Sequence, residues 1–131
     1  MKLNLSYEKL KIPYSSYNQP YAAVSILIHK EREILFIKRS NDMPTHKGHI
    51  AFPGGKKELN DSSIVDTAVR EASEELLITK NNVEPFGILE PVDTIEFKFH
   101  VFPVLCNLKK KPESYNKKEV QDIFFVPIDD L

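Results

Sequence analysis

A single helical pattern stands among strand-like segments, and this order constrains the fold more than any other feature of the sequence. Apolar side chains recur every four residues between Ile64 and Leu76, which predicts a helix with one face packed on a core. The recurring residues are Ile64, Ala68, Ala72 and Leu76. Asp61-Ser62-Ser63 precedes this stripe and supplies candidate N-caps. Because strands surround the helix without regular alternation, we expect an α+β fold with a mixed sheet.

Strand-like segments lie on both sides of the predicted helix. Apolar and β-branched runs predict strands at Ala22–Ile28, Glu33–Lys38, Val83–Leu89, Phe97–Leu105 and Ile123–Val126, with a short apolar segment at Ile50–Phe52. The first two runs flank a charged turn and therefore predict a hairpin. Near the end of the chain, Asp129-Asp130 predicts the start of another helix. Most of that helix would follow Leu131, so we expect a truncated C-terminal helix.

Composition places the chain among single-domain globular proteins. Its 131 residues are 41% hydrophobic and 28% charged, which suffices for one core, and residues 1–20 are predicted to be a lead-in to a domain at 21–131. A net charge of −1 indicates no general attraction to nucleic acid or acidic membranes. The single Cys106 excludes an internal disulfide. Since there is also no apolar run of about 20 residues and no signal-peptide pattern, we predict a cytoplasmic protein.

Three carboxylates are concentrated in the predicted helix. Glu71, Glu74 and Glu75 stand at i, i+3 and i+4, which predicts that they share one face, opposite the apolar stripe. Like charges at this spacing repel, and a bound divalent cation would reverse that cost. Oxygen-only ligands favour Mg²⁺ or Mn²⁺. Arg70 lies four residues before Glu74 and can pair with it, although a solvated, charge-rich helix face would show the same pattern.

Two glycines precede the helix and change the interpretation of the carboxylates. Pro53-Gly54-Gly55 is a strong breaker, and glycines allow a backbone to approach a ligand closely. A tight turn is the simpler interpretation of the motif by itself. A glycine-rich segment before a helix with a carboxylate face is nonetheless the arrangement expected of a site for a metal ion and a diphosphate.

These motifs resemble the box of the Nudix hydrolase family. Arg70–Ile78 (REASEELLI) matches the second half of the box except at one position, and Asp61 best meets its first acidic position. Gly55 lies one residue further from Arg70 than in the standard box, as in the coenzyme A diphosphatase branch. The upstream signature of that branch is matched in register by Leu35–Ser40, Gly48 and Phe52–Gly55.

The resemblance implies an α/β/α sandwich with a mixed sheet and one catalytic helix. It implies metal-dependent hydrolysis of a nucleoside-linked diphosphate, with coenzyme A cleaved to 3′,5′-ADP and 4′-phosphopantetheine, and Mg²⁺ or Mn²⁺ as cofactor. The implied catalytic residues are Glu71, Glu74 and Arg70, with Arg70 holding a glutamate by a bidentate pair. The implied metal ligands are Glu71, Glu74, Glu75, Glu119 and a carbonyl of Gly54 or Gly55. The residues implied in substrate binding are Arg39, His46 and Phe52.

The sequence departs from the family pattern at two informative positions. Leu77 replaces the box glycine, and a left-handed leucine would cost about 1 kcal/mol, so we expect Asn81 or Asn82 to take over the turn. Pro44 replaces the signature arginine. That change favours the alternative substrates, namely ADP-ribose, dinucleotides, oxidised nucleotides or capped RNA. A non-catalytic nucleotide-binding module is the third hypothesis. The expected partner is a small nucleoside diphosphate derivative, not a membrane or nucleic acid, and a homodimer is left open.

Overall fold

The computed structural model describes residues 20–43, 47–93 and 100–131, together with the backbone of residues 8–9. The strands are β1 Glu8–Lys9, β2 Tyr21–His29, β3 Glu33–Arg39, β4 Ile50–Ala51, β5 Gly54–Lys56, β6 Val83–Ile88, β7 Val92–Asp93, β8 His100–Leu108 and β9 Val120–Pro127. Helix α1 spans Ile64–Leu76, and short 3-10 helices span Lys80–Asn82 and Ile128–Asp130. The predicted mixed sheet with one main helix is confirmed. Within the described ranges no helix is long and apolar enough to cross a membrane.

A parallel pair of long strands forms the centre of the sheet. β2 and β8 are paired over their whole length, from Tyr21 opposite His100 to His29 opposite Leu108. The described strands run in the order β1-β6-β8-β2-β3-β4, and every pair other than β2–β8 is antiparallel. β5, β7 and β9 pair with β2, β8 and β3, respectively. The mixed character of the sheet therefore depends on one central pair.

The predicted hairpin of β2 and β3 forms, but its two strands separate after a short distance. They pair only through Ile28 with Ile34 and His29 with Glu33. Beyond that point β4 pairs with β3, β5 pairs with β2, and the Ser25 amide donates to the Pro53 carbonyl at 2.8 Å. The segment 50–56 therefore fills the gap between the two strands. The Pro-Gly-Gly breaker predicted from sequence ends in a short strand, because β2 offers it an unpaired edge.

The two faces of the sheet carry separate apolar clusters, as the period of two along β2 requires. Tyr21, Ala23 and Leu27 pack toward α1, whereas Ile26 and Ile28 pack toward the opposite face. All four residues of the predicted helix stripe are fully buried. Within the described residues, the opposite face is covered by the 3-10 helix at the chain end and by half-buried aromatic side chains. A second helical layer of the expected sandwich is not among the described residues.

Helix α1 begins and ends at identifiable caps. Ser63 is the N-cap, and its hydroxyl accepts from the Asp66 amide at 3.0 Å. Leu77 ends the helix in the left-handed conformation, with φ of 51° and ψ of 47°, and its amide donates to the Ser73 carbonyl. The expectation that Asn81 or Asn82 would take over this turn was wrong. Leucine itself adopts the conformation in which the family box has glycine.

Several predicted bounds shifted or lie outside the described ranges. Among the described residues β8 begins at His100, and its predicted start at Phe97 falls within residues 94–99, which lie outside the description. β9 starts at Val120, earlier than the predicted Ile123, because it pairs with β3 as far as Arg39. Pro44, His46 and almost all of the predicted lead-in 1–20 also fall outside the described residues.

Candidate active site

The guanidinium of Arg70 is the centre of a cluster of acidic groups beside α1. Its Nε and Nη2 atoms donate to the two carboxylate oxygens of Asp61 at 2.8 and 2.9 Å. Its Nη1 atom contacts Glu71 at 2.9 Å, Glu74 at 3.1 Å and Glu58 at 3.2 Å. The predicted pairing with Glu74 is present. The prediction of a bidentate pair with a glutamate was wrong, because Arg70 makes its bidentate pair with Asp61 through Nε and Nη2.

Asp61 is almost fully satisfied by hydrogen bonds from the protein. In addition to Arg70, the Glu58 amide and the Thr67 hydroxyl each donate to its Oδ2 atom at 2.9 Å. Burial alone would raise its pKa, but the hydrogen bonds from Arg70, Glu58 and Thr67 outweigh burial and lower the pKa to about 2. The pKa of Arg70 is raised in turn, chiefly by its hydrogen bond to Asp61. These two residues form a charged pair that is stable at all ordinary pH values.

Glu75 is buried, in contrast to the sequence expectation. Helical steps of 100° place Glu75 inside the arc of the apolar stripe, and its exposed fraction is only 3%. The expectation that all three glutamates lie opposite the stripe was therefore wrong. Its Oε2 atom accepts from the Gly54 amide at 2.9 Å. Burial and the nearby charges of Glu71 and Glu119 raise its pKa to about 9, despite the opposing effects of Gly54 and Arg39.

Glu71 lies against the glycine strand. A Cβ atom added to Gly55 would come within 2.6 to 2.8 Å of the Glu71 carboxylate, so any other residue there would displace that carboxylate. Burial raises the pKa of Glu71, Arg70 lowers it, and the charges of Glu74 and Glu119 raise it further. Glu74 has a half-exposed side chain. The helix thus presents one buried, one half-buried and one exposed carboxylate.

Two residues from elsewhere in the chain reach the same region, and Phe52 does not. Glu119 affects the pKa of both Glu71 and Glu75, and Arg39 affects that of Glu75, so the fold brings both near the carboxylates. The Ser40 amide donates to the Glu119 carbonyl at 2.9 Å, which holds the two segments together. Phe52 instead stacks on Phe36 at 4.9 Å, in the cluster on the other face of the sheet. His46 lies outside the described residues.

Comparison with known proteins identifies the family. The model of a family described as the NUDIX domain matches residues 19–131. This chain belongs to the Nudix family. The uncharacterized Nudix hydrolase NudL of Pectobacterium atrosepticum is 36% identical over 119 residues, which cover 90% of this chain and 62% of that protein. The chain spans about three fifths of the length of the curated relatives it matches.

Solved structures show the same Nudix fold at lower sequence identity. A C. elegans Ap4A hydrolase in a binary complex has a TM-score of 0.68 and 24% identity, and the match covers 83% of this chain and 81% of that chain. The NUDIX domain of Shewanella oneidensis NrtR, complexed with ADP ribose, has a TM-score of 0.57 and 17% identity, with coverages of 92% and 80%. Both likenesses concern the fold alone.

Two residues that the sequence analysis did not identify join the hydrogen bonds of the Nudix box. Thr67 is fully buried and donates to Asp61, and the Tyr21 hydroxyl lies 2.8 Å from the Thr67 hydroxyl. Thr67 stands one helical turn before Arg70, so spacing could have suggested a shared face. Tyr21 begins a strand more than forty residues away. No local pattern connects it to the box.

The carboxylates of the Nudix helix have the chemistry that suits a hard divalent ion. Within the described ranges, no three His, Cys, Asp or Glu side chains already converge closely enough to hold a metal. The donor set nevertheless consists of oxygens only, which is the set preferred by Mg²⁺ and Mn²⁺. Burial raises the pKa of both Glu71 and Glu75, and the charge of Glu119 raises each further. The residues therefore fit such an ion once the carboxylates turn toward it.

Proposed function

We propose that this Nudix chain hydrolyses a nucleoside-linked diphosphate, with coenzyme A or a derivative as its preferred substrate and 3′,5′-ADP and 4′-phosphopantetheine as products. The observation that carries the proposal is the pair of carboxylates Glu71 and Glu75, one half-buried and one buried, which lies directly against the glycine strand. Family membership supports hydrolysis. The Ap4A and ADP ribose named for the two solved structures support nucleoside diphosphate derivatives as the substrate class.

The proposal includes a bound divalent cation, Mg²⁺ or Mn²⁺. Glu71, Glu74, Glu75 and Glu119 would hold it, together with the carbonyl of a β5 glycine. Gly54 is the better candidate for that carbonyl, since its amide already faces Glu75 and the N–H and C=O of one strand residue point to the same side. When bound, such ions neutralise phosphate oxygens and lower the pKa of a water molecule.

The side chains of the chain would divide the chemical work. Glu75, whose pKa is about 9, must give up its proton before it can act as an anionic ligand at neutral pH. Glu71 would orient the attacking water and accept its proton as that water bonds to phosphorus and the bridging P–O bond breaks. Arg70 would keep Glu71 and Glu74 in place through its Nη1 atom. Arg39, which is near Glu75, would pair with a phosphate of the substrate.

Substrate preference depends on residues beyond the carboxylates. We include His46 as a substrate contact. Phe52 stacks on Phe36 on the other face of the sheet, so we do not propose it as a contact of the reacting diphosphate. The replacement of the signature arginine by Pro44 favours a second candidate, hydrolysis of ADP-ribose, dinucleotides, oxidised nucleotides or capped RNA. We propose a cytoplasmic enzyme, since Cys106 is a free, buried thiol.

The decisive experiment is a substrate panel with a matched pair of variants. Coenzyme A, ADP-ribose, diadenosine polyphosphates and oxidised dGTP are each incubated with Mg²⁺ and with Mn²⁺, and products are separated by chromatography. Glu74→Gln is expected to abolish turnover, whereas Glu113→Gln, at an exposed loop glutamate, leaves it unchanged. Release of 3′,5′-ADP from coenzyme A supports the preferred substrate. Faster cleavage of another diphosphate replaces coenzyme A but keeps the enzyme class. Nucleotide binding without turnover in either metal would identify a non-catalytic module.

A further inference from the structure

A buried chain of hydroxyl groups ends on the carboxylate that holds Arg70. Tyr21 is 2% exposed and Thr67 is 0% exposed. The Thr67 hydroxyl donates to Asp61 Oδ2 at 2.9 Å, and its distance to the Ser63 carbonyl is longer, at 3.3 Å. A hydroxyl has one hydrogen to donate, so the Tyr21 hydroxyl must donate its own to Thr67 across their 2.8 Å contact. The hydrogen bonds therefore run in one direction, from Tyr21 through Thr67 to Asp61.

Asp61 determines which edge of the Arg70 guanidinium is available to the glutamates. It occupies Nε and Nη2, and the Lys56 carbonyl accepts from Nη2 at 3.1 Å. Only Nη1 is directed toward Glu71 and Glu74, so neither glutamate receives a bidentate pair. A guanidinium released from Asp61 could form such a pair with a glutamate, because its fork matches the two oxygens of any carboxylate.

We propose that Thr67 and Tyr21 are positioning residues that keep Arg70 hydrogen-bonded to Asp61 and so leave the glutamate oxygens available to a divalent cation. This inference rests on the cation site of the proposed function. Two hydrogen bonds from Arg70 to one glutamate would occupy the oxygens that the cation needs. By fixing Asp61 in place, the hydroxyl chain would prevent that competition.

The competing explanation is that both residues only fill space, and matched variants separate the two. Thr67→Val retains the shape and removes the hydroxyl, whereas Thr67→Ser retains the hydroxyl. Tyr21→Phe retains the edge-on contact with Phe102, whose ring centroid lies 6.1 Å away. Thr79→Val is the control, since Thr79 is exposed and makes no side-chain cap bond. A space-filling role predicts that Val is tolerated at least as well as Ser.

The first measurement is Mn²⁺ binding to each variant by electron paramagnetic resonance, which needs no substrate and no turnover. We expect Thr67→Val to weaken Mn²⁺ binding about three- to tenfold, the effect of losing one hydrogen bond behind a ligand. Tyr21→Phe is expected to weaken it less. Thr67→Ser and Thr79→Val are expected to match the wild type. Equal Mn²⁺ affinity in Thr67→Val and wild type would overturn the inference.

The second measurement follows Arg70 itself and does not depend on metal binding. The Nε–H resonance of Arg70, assigned by its loss in Arg70→Lys, should exchange slowly with water in the wild type and faster in Thr67→Val. An unchanged exchange rate would also overturn the inference. Should Thr67→Val fail to fold, Tyr21→Phe is judged by the same two readouts. If the wild type binds no Mn²⁺, the proposed function fails, and the Arg70 exchange rates alone decide the hydroxyl chain.

Discussion

Asp61 and Glu75 are both buried carboxylates of the same site, but their hydrogen-bond partners and neighbouring charges differ. Asp61 accepts hydrogen bonds from Arg70, Thr67 and the Glu58 amide, and its pKa is lowered to about 2. Glu75 accepts one backbone hydrogen bond, from Gly54, and faces two other carboxylates. Its pKa is raised to about 9.

The difference shows how to distinguish a structural acid from one that requires an external partner. A buried carboxylate that is fully supplied with donors is already complete, and its charge stabilises the fold. A buried carboxylate whose neighbouring carboxylates outweigh its counter-charge costs stability unless it is protonated or binds a cation. By this criterion Asp61 belongs to the framework of the site, and we propose that Glu75 takes part in its chemistry.

Among the changes that test this contrast, the largest expected effect is on turnover, in Glu75→Gln. If Glu75 is a ligand, the variant should lose turnover roughly 100-fold, because a charged ligand is replaced by a neutral amide. The stability of this variant, in contrast, should increase. A raised carboxyl pKa means that stability is full below the unfolded value of 4.5 and is lost as the pH rises toward 9. Without metal, Glu75→Gln should therefore unfold at higher urea concentration than wild type at pH 8, and the gain should shrink at pH 5.

Glu84→Gln, an exposed substitution on β6, should change neither turnover nor this pH dependence. Full activity of Glu75→Gln would show that turnover does not require Glu75, and would contradict the distinction drawn between Glu75 and Asp61.

The next effect is on stability, in Asp61→Asn. The folded pKa of Asp61 is about 2 against an ordinary value of 3.8, a depression that corresponds to about 2 kcal/mol at neutral pH. Because the pKa is depressed, this stability is present above pH 3.8 and is lost as the pH falls toward 2. Urea denaturation should show the full deficit at pH 7 and a smaller one at pH 3. Asp122→Asn, at an exposed position, is the control. A deficit that did not vary with pH would show that the charge of Asp61 contributes nothing.

The smallest effect is expected at Leu77, the C-cap of the helix, which takes no part in the hydrogen bonds of Asp61 or of Glu75. Glycine adopts the left-handed conformation without the cost that leucine incurs there, so Leu77→Gly should raise the free energy of unfolding by about 1 kcal/mol. Leu77→Ala keeps the strained conformation and should show no such gain. Turnover should be unchanged in both. Equal stabilisation by alanine would mean that the exposed side chain, not the backbone, is responsible.

Elements with a strong local period could be predicted from the sequence. The stripe from Ile64 to Leu76 and the run Ala22–Ile28 gave α1 and β2 nearly to the residue, because each period is set by one core-facing surface. The Gly54-Gly55 strand could not be predicted. It exists only because β2 and β3 separate and leave an edge to be paired, which is a tertiary effect.

The sequence placed the three glutamates on one helix, as the structure has them, but it did not predict their individual environments. The spacing of Glu71, Glu74 and Glu75 placed them on one helix, and counting angles at 100° per residue would have moved Glu75 into the buried arc. The bidentate partner of Arg70 could not be inferred in this way. Asp61 lies before the helix, and its position depends on how the preceding turn folds.

The separation of β2 and β3 has a consequence for engineering new specificities. Gly54 cannot be exchanged, because a Cβ there would lie 2.4 Å from the Ala23 carbonyl oxygen. The segment 41–47, in contrast, joins two anchored ends: Ser40 donates to Glu119 at 2.9 Å, and Gly48 donates to Arg39 at 3.1 Å. A change of specificity that leaves the carboxylates and the glycine strand in place must therefore keep Gly54 and both of these anchors.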